Sequence, residues 1–309
     1  MSRFLLTIAL MFSVGFFWFL YSSEYVGYVY NPKTLSWDFL QSNYSKLKLL
    51  AFGSDSNLNR NFKLLAGKNV KIVVGPPTSA EGELILPYLK KYNMVALSHT
   101  ISSTKILKSG YVYSFTPSNK FIVEKTRALL KILGTKKLLL LCDPTNKQYS
   151  DEFKELFSSF RGRDVYYYNL SSLNDLNALE YDTVVLTLFA KPSAEAVKKL
   201  KQSNPAIKIV GLDSVEIGDF LALGGQAAEG SYLIYSIEPV VSSEIDLINE
   251  VLDFLAENRF LTVEQFKRFL KHNVIRLKEK VYYFTEDGIN KDVVVYKIVD
   301  GKLVKVYSL

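Results

Sequence analysis

The chain alternates short apolar runs with longer segments in which apolar residues recur every three or four positions. Short runs of this kind predict strands, and the longer periodic segments predict helices. The predicted strands are 25–30, 47–52, 70–74, 94–97, 137–142, 165–168, 183–188 and 207–211. The predicted helices among them are 34–44, 58–66, 81–92, 118–133, 151–160 and 193–202, with Pro87 expected to kink or shorten the third. This alternation favours an α/β fold with parallel sheets and helices on both faces.

The order of elements changes towards the carboxyl end. Residues 245–258 and 263–271 have helical periodicity, and 281–284, 292–299 and 303–307 alternate as strands. Two Asp-Gly pairs stand where tight hairpin turns are expected. We therefore expect a small antiparallel appendage after two α/β lobes that meet near Phe115.

The amino terminus predicts export. Residues 4–20 carry no charge, follow Arg3 and precede a short polar stretch. A basic start, an apolar run and a polar exit are typical of a secretory signal, although 17 residues also approach the length of a membrane-spanning helix. Residues 1–23 are thus predicted to be a signal peptide or a membrane anchor, and the bulky apolar run favours the anchor. The predicted location is periplasmic or otherwise extracytoplasmic.

Composition excludes several classes of function. The 309 residues carry 38 basic and 31 acidic side chains, a net charge of +7, without the Lys/Arg runs of a nucleic-acid-binding tract. One cysteine, Cys142, excludes an internal disulfide and a Cys-rich zinc site, and His99 and His272 leave little for a metal site or a catalytic triad. No phosphate-binding, metalloprotease or hydrolase motif is present. We predict no enzymatic activity, no cofactor, no metal and no nucleic-acid partner.

Small hydroxyl-bearing residues cluster just beyond the ends of predicted strands. The segments 73–80, 96–104 and 210–214 each pass from an apolar run into Ser, Thr or Asp. Open α/β sheets bind ligands at the carboxyl ends of their strands, where loop amides and helix N-termini meet. These segments are therefore candidates for a binding site.

Seven segments, in this order, resemble one family. They are VVGPPTS (73–79), MVALSHTISST (94–104), YSFTPSNKF (113–121), KLLLLCDPTNKQYSDEF (137–153), IVGLDS (209–214), GGQAAEGSYL (224–233) and FTEDGINKDVVVYKIVDGKLVKV (284–306). The chain is similar here to the type I periplasmic solute-binding proteins of the branched-chain amino acid (Leu/Ile/Val) class. The resemblance implies two Rossmann-like lobes with parallel sheets joined by a hinge. Lobe 1 would comprise 24–115 with 238–280, and lobe 2 would comprise 116–237 with 281–309.

The resemblance also implies where a ligand would bind. A small ligand would lie between the lobes, with a carboxylate held at the positions of Ser79, Thr100 and Ser102. An ammonium would meet Asp213, and Tyr149, in the loop after the first strand of lobe 2, would close over the ligand. From the residues alone, Ser79 and Ser102 could equally cap helices, Asp213 could end a strand, and Tyr149 could serve packing.

The chain departs from the family in its first lobe, which is compressed between the first and second strands. Two functions stay open. The first is an extracytoplasmic protein that captures a small polar solute, such as an amino acid, and presents it to the membrane permease of an ABC-type transporter. The second is a membrane-anchored interaction or regulatory module of the same fold without a small-molecule ligand.

Overall fold

A computed structural model describes residues 25–32, 47–169, 173, 176–215, 217–235, 244–277, 280–285, 288–289 and 293–308. The chain divides into two compact units. Unit 1 contains the described residues of Met1–Ile101, Ile106–Phe115 and Ser242–Glu286, and unit 2 contains those of Ser102–Lys105, Thr116–Val241 and Asp287–Leu309. The four residues Ser102–Lys105 thus pack with unit 2 although unit 1 residues flank them on both sides.

Unit 1 is built on a five-stranded parallel sheet of order β2-β1-β3-β4-β5. Its strands are β1 (Tyr25–Tyr30), β2 (Lys48–Gly53), β3 (Ile72–Val74), β4 (Val95–Ser98) and β5 (Val112–Ser114). The connecting helices are α1 (Leu58–Gly67), α2 (Ser79–Lys91) and the short α3 (Thr104–Leu107). Later in the chain, α8 (Glu244–Glu257), α9 (Val263–His272) and the antiparallel pair β11 (Val274–Leu277) and β12 (Lys280–Thr285) also belong to this unit.

Unit 2 is built on a seven-stranded sheet of order β15-β14-β10-β9-β8-β6-β7. Its parallel strands are β6 (Leu138–Cys142), β7 (Arg163–Tyr167), β8 (Thr183–Leu186), β9 (Lys208–Gly211) and β10 (Tyr232–Tyr235). The helices are α4 (Asn119–Ile132), α5 (Lys147–Leu156), α6 (Ala190–Ser203) and α7 (Ile217–Gly224). The remaining strands are the short β13 (Gly288–Ile289), β14 (Val294–Val299) and β15 (Lys302–Ser308).

The strand β6 in the sheet of unit 2 is buried on both faces, as its apolar sequence predicted. Leu139 and Leu141 of β6 pack into one hydrophobic cluster with α6 and α7. Leu138 and Leu140 of the same strand pack into a second cluster with α4 and α5. Adjacent residues of a strand point to opposite faces, so a strand of consecutive leucines serves two cores at once.

The α/β fold with two parallel sheets is confirmed, and three local predictions are wrong. First, α2 runs through Pro87 to Lys91. Second, the helix predicted over 151–160 begins four residues earlier and ends at Leu156. Third, the carboxyl-terminal strands do not form one appendage, because β14 and β15 extend the sheet of unit 2 antiparallel to β10, whereas β12 pairs with β11.

The predicted signal peptide or anchor over 1–23, with its apolar segment 4–20, and the predicted helix over 34–44 lie outside the described residues. Among the residues that the structure does describe, no helix is both long enough and apolar enough to cross a membrane.

Candidate functional site

In unit 1, the loops after β3 and β4 lie at one edge of the sheet because these parallel strands are neighbours, with Val74 beside Leu97. The Gly75 amide donates to the Leu97 carbonyl at 3.0 Å, so the two loops leave the sheet together. Gly75 has a φ of +86°, and a Cβ there would stand 2.1 Å from the carbonyl oxygen of Val29. Only glycine fits this close approach.

Ser79 is the first residue of α2 and is buried. The helix cap is Thr78, whose hydroxyl accepts from the Glu81 amide at 3.3 Å. The buried Glu81 carboxylate accepts in return from the amide and hydroxyl of Thr78, at 3.0 and 2.8 Å. It also accepts from the Ser54 hydroxyl, which follows β2, at 2.5 Å. This reciprocal cap fixes the loop that presents Ser79.

Thr100 is exposed, and its hydroxyl donates to the Pro77 carbonyl in the neighbouring loop. The buried Ser98 hydroxyl donates to the Pro76 carbonyl at 2.7 Å and accepts from the amides of Thr100 and Ile101, at 3.2 and 3.0 Å. Each loop therefore holds the other in place by side-chain to backbone bonds, so that Ser79 and Thr100 lie on linked segments.

Ser102 is buried and belongs by its contacts to unit 2. Its carbonyl accepts from the Asn119 amide at 2.6 Å. Two residues later, the Thr104 amide donates at 2.7 Å to the Glu152 carboxylate, which also accepts from the side-chain amide of Asn119 at 3.1 Å. The segment Ser102–Lys105 is thus fixed to the first turn of α4 and to α5.

In unit 2, the structure brings Tyr149 and Asp213 into direct contact. The Tyr149 hydroxyl donates to Asp213 Oδ1 at 2.5 Å. Tyr149 lies inside α5, not in the preceding loop as predicted, because the helix begins at Lys147. Its ring packs on Phe153 with ring centroids 4.7 Å apart, and only 4% of the residue is exposed. Asp213 follows β9 and is half-buried.

Burial and this contact shift the pKa of both groups upwards. Burial raises the pKa of Asp213, opposed by the bonds from Tyr149 and from backbone amides. Burial and the nearby Asp213 carboxylate together raise the pKa of the Tyr149 phenol well above its ordinary value. Because the pKa of the Tyr149 phenol is raised, Tyr149 keeps its proton and is the donor in the bond to Asp213.

A second polar network fixes the start of α5. The Asp143 amide donates to the Ser150 hydroxyl at 2.8 Å, and the Ser150 and Thr187 hydroxyls lie 3.1 Å apart. Thr187 also donates to the Leu141 carbonyl at 3.0 Å. Asp143 Oδ1 accepts from the amide and hydroxyl of Thr145, at 2.7 and 2.6 Å. The carboxyl ends of β6 and β8 are thereby linked to the start of α5, which positions Tyr149.

The described residues contain no group of three or more His, Cys, Asp or Glu side chains that could hold a metal ion. His99 is buried at the end of β4.

Sequence reasoning selected Ser79, Thr100, Ser102, Tyr149 and Asp213. The structure joins the last two directly and places the first two on linked loops. Sequence reasoning missed Glu81 and Glu152, two carboxylates that organise these edges. The Thr78-x-x-Glu81 spacing is a capping-box pattern that could have revealed the first. Nothing in the sequence pattern points to Glu152, because its partners are 33 and 48 residues away.

No protein-family model matches the sequence, and no curated protein matches it. Solved structures do. A leucine-binding protein of Thermotoga maritima has 15% identity and a TM-score of 0.73, over 92% of this chain and 98% of its own. A branched-chain amino acid transporter substrate-binding protein of Streptococcus pneumoniae, in complex with isoleucine, has 14% identity and a TM-score of 0.69, over 91% and 99%.

An ABC transporter solute-binding protein of R. palustris, in complex with benzoate, has 11% identity and a TM-score of 0.65 and covers 93% of this chain and 96% of its own. The fold is therefore that of the type I periplasmic binding proteins, as the resemblance implied. Identities this low establish the fold and not the ligand. Structures of this kind hold ligands as different as isoleucine and benzoate.

Proposed function

We propose that this chain is an extracytoplasmic, non-catalytic solute-binding protein that captures a small polar ligand for an ABC-type transporter. Lobe 1 is proposed to comprise 24–115 with 238–280, and lobe 2 to comprise 116–237 with 281–309. The ligand is proposed to be bound by residues of both lobes. The proposed contacts are Ser79, Thr100, Ser102, Tyr149 and Asp213.

The observation that carries this proposal is the contact between Tyr149 and Asp213. A half-buried carboxylate that accepts from a buried phenol, at the carboxyl end of a parallel strand, has the position and chemistry of a ligand-binding group. Asp213 is suited to pair with an ammonium group of the ligand. Transport proteins of the same fold bind amino acids in the structures above.

Calorimetry on the purified full-length chain tests the proposal against amino acids, amines, carboxylates and sugars. Asp213→Ala is expected to weaken binding of the ligand found in this panel by about 2–5 kcal/mol, because a desolvated cation would lose its counter-charge. Asp219→Ala, at an exposed position of α7 in the same unit, is the matched control and should leave affinity unchanged.

Two results would contradict the proposal. Equal affinity in Asp213→Ala and wild type would remove Asp213 from the site. Failure of the wild type to bind any member of the panel would favour the alternative, an interaction or regulatory module of the same fold.

Export and tethering are the second part of the proposal. We propose that residues 1–23 direct the chain out of the cytoplasm and that 4–20 anchor it to the membrane, beside the permease. Sequencing the amino terminus of the exported protein tests this. A mature chain that begins near Ser23 would show a cleaved signal peptide and contradict the anchor.

A further inference from the structure

Two hydroxyl groups of the proposed site, those of Tyr149 and Thr100, already donate a hydrogen bond within the protein. A Ser, Thr or Tyr hydroxyl carries one hydrogen, so a hydroxyl that donates within the protein can only accept from a ligand. Tyr149 donates to Asp213, and Thr100 donates to the Pro77 carbonyl. Both are proposed ligand contacts. Neither can donate to a ligand carboxylate without breaking an internal bond.

Two buried side-chain oxygens, one beside the first turn of α5 and one in the first turn of α4, have no donor among the described residues. Asn146, immediately before α5, is 8% exposed, and its Oδ1 has no hydrogen-bond partner there. Asn146 and Tyr149 are three positions apart, so they share one side of the first turn. Asn119 is fully buried, and its Oδ1 likewise has no partner in the described part of the chain.

The orientation of Asn119 follows from Glu152. A carboxylate can only accept, so the nitrogen of the Asn119 side chain must face Glu152, and its oxygen is the atom left over. The ammonium of Lys147, at the first position of α5, is already paired with Asp151. This end of the unit 2 sheet therefore offers acceptors and negative charge.

Unit 1 likewise favours a bound cation over a bound anion. The Glu81 carboxylate occupies the first turn of α2, two residues after Ser79, and accepts from both Thr78 groups and from Ser54. An anion bound at the first amides of α2 would stand beside this carboxylate, and like charges at such short range repel. An ammonium or guanidinium group at the same place would not be repelled by this carboxylate.

We propose that the ligand of this site is an organic cation, recognised through an amine or guanidinium group, and that a carboxylate on the ligand is not required. This inference rests on the proposed function and narrows it. It departs from the carboxylate that the family resemblance implied at Ser79, Thr100 and Ser102. An ammonium group supplies three donors and a guanidinium five, which matches the free acceptors and Asp213.

Matched probes test the contributions of the ammonium and of the carboxylate of an amino acid separately. Calorimetry on the full-length chain compares leucine with 3-methylbutylamine, which lacks the carboxylate, and with 4-methylpentanoate, which lacks the ammonium. Arginine and agmatine form a second pair that differs only in the carboxylate. We expect at least one amine to bind as tightly as its amino acid or more tightly, and 4-methylpentanoate not to bind.

An amino acid that binds about tenfold or more tightly than its amine, the equivalent of one strong contact, would overturn the inference and leave the proposed function standing. Binding of 4-methylpentanoate would do the same. If none of the five probes binds, the cation assignment fails, and the wider panel described above decides separately whether the chain binds any solute.

A charge variant provides an independent check. Glu81→Gln removes the negative charge of unit 1 and should strengthen leucine binding relative to 3-methylbutylamine by about threefold or more, because only leucine carries the repelled carboxylate. Glu83→Gln, at an exposed position of the same helix, is the matched control and should leave this ratio unchanged. An unchanged ratio in Glu81→Gln, with an intact melting transition, would remove Glu81 from the selectivity.

Discussion

Cys142 ends β6 with its thiol inside the core of unit 2. The Sγ atom lies 3.9 Å from the Ser150 carbonyl, and burial raises the pKa of the thiol to about 11. Thiolate is the reactive form, so a buried thiol with a raised pKa is inert. Cys142 thus serves as a small apolar residue in a buried strand.

We expect Cys142 not to react with a thiol-specific reagent at pH 8 while the chain is folded, and to react fully in guanidinium chloride. Absorbance of the released chromophore measures both. The denatured sample is the control for total thiol. Modification of the folded protein at the rate of the denatured one would show that the strand end opens readily, contrary to its burial.

The contact between Tyr149 and Asp213 links the proposed binding site to the stability of the fold. The Tyr149 hydroxyl is buried and donates to Asp213. Removing the carboxylate leaves a buried donor without an acceptor, which costs about 1–3 kcal/mol. The site therefore cannot be changed at Asp213 without some loss of folding free energy.

A double-mutant cycle tests this coupling in the ligand-free protein. Asp213→Ala should lower the free energy of unfolding by about 1–3 kcal/mol, and by less when Tyr149 is already Phe, because no hydroxyl is then left unpaired. Urea unfolding measures the four variants. Tyr283→Phe, at an exposed position, is the control background. Additive effects in the cycle would contradict the contact.

At the scale of elements, local sequence rules failed where packing outweighed them. Pro87 lacks the amide that would bond to the Glu83 carbonyl one turn earlier, which predicts a break. The helix continues because Ile85 and Leu89, on either side of Pro87, are fully buried in the core of unit 1. Glu83, one turn before Pro87, is exposed.

Turns were more predictable than helix limits because their backbone angles restrict the residue type. Asp300 and Gly301 have φ values of +50° and +67° and connect β14 to β15. This left-handed conformation at both central residues is what a tight hairpin requires, and Asp-Gly is a preferred pair. Glu229, in the loop before β10, accepts from the backbone amides of Asp300 and Gly301 and so attaches the hairpin to that loop.

Two glycines with open surroundings should respond oppositely to alanine. A Cβ on Gly67 or on Gly301 would meet nothing within 4 Å, so space does not distinguish them. Gly67 ends α1 outside the left-handed region, and Gly67→Ala should stabilise the chain by about 0.5–1 kcal/mol. Gly301→Ala should destabilise it by about 1 kcal/mol through left-handed strain. Urea unfolding measures the change in free energy of unfolding for each variant, and changes of the same sign in both would contradict this explanation.

For the whole molecule, the apolar pattern was sufficient to predict two parallel sheets but not every strand. The three-residue β5 and the four-residue β10 are too short to show a period of their own. Pattern also could not pair Tyr149 with Asp213, which are 64 residues apart and meet only because β6, β8 and β9 are neighbours in the sheet. The order of strands, not the local sequence, assembles the site.

Tyrosines tie the stability of the whole chain to pH. Burial and nearby carboxylates raise the pKa of Tyr167, Tyr181 and Tyr282 to about 12, and raise those of Tyr113 and Tyr168 as well. The unfolded chain releases these protons near pH 10, whereas the folded chain retains them to higher pH. The folded state binds more protons in this window, so its stability falls as pH rises from about 10 towards 12.

Tyr181 isolates one such contribution. Its hydroxyl donates to Asp164 at 3.0 Å, and a pKa shift of this size is worth about 1 kcal/mol at pH 11 relative to pH 8. Tyr181→Phe should therefore reduce by about 1 kcal/mol the loss of unfolding free energy between these pH values, measured by urea unfolding. Tyr283→Phe, at an exposed position, is the control and should leave that loss unchanged. If both variants lose stability as steeply as the wild type, the raised pKa of Tyr181 does not act on folding.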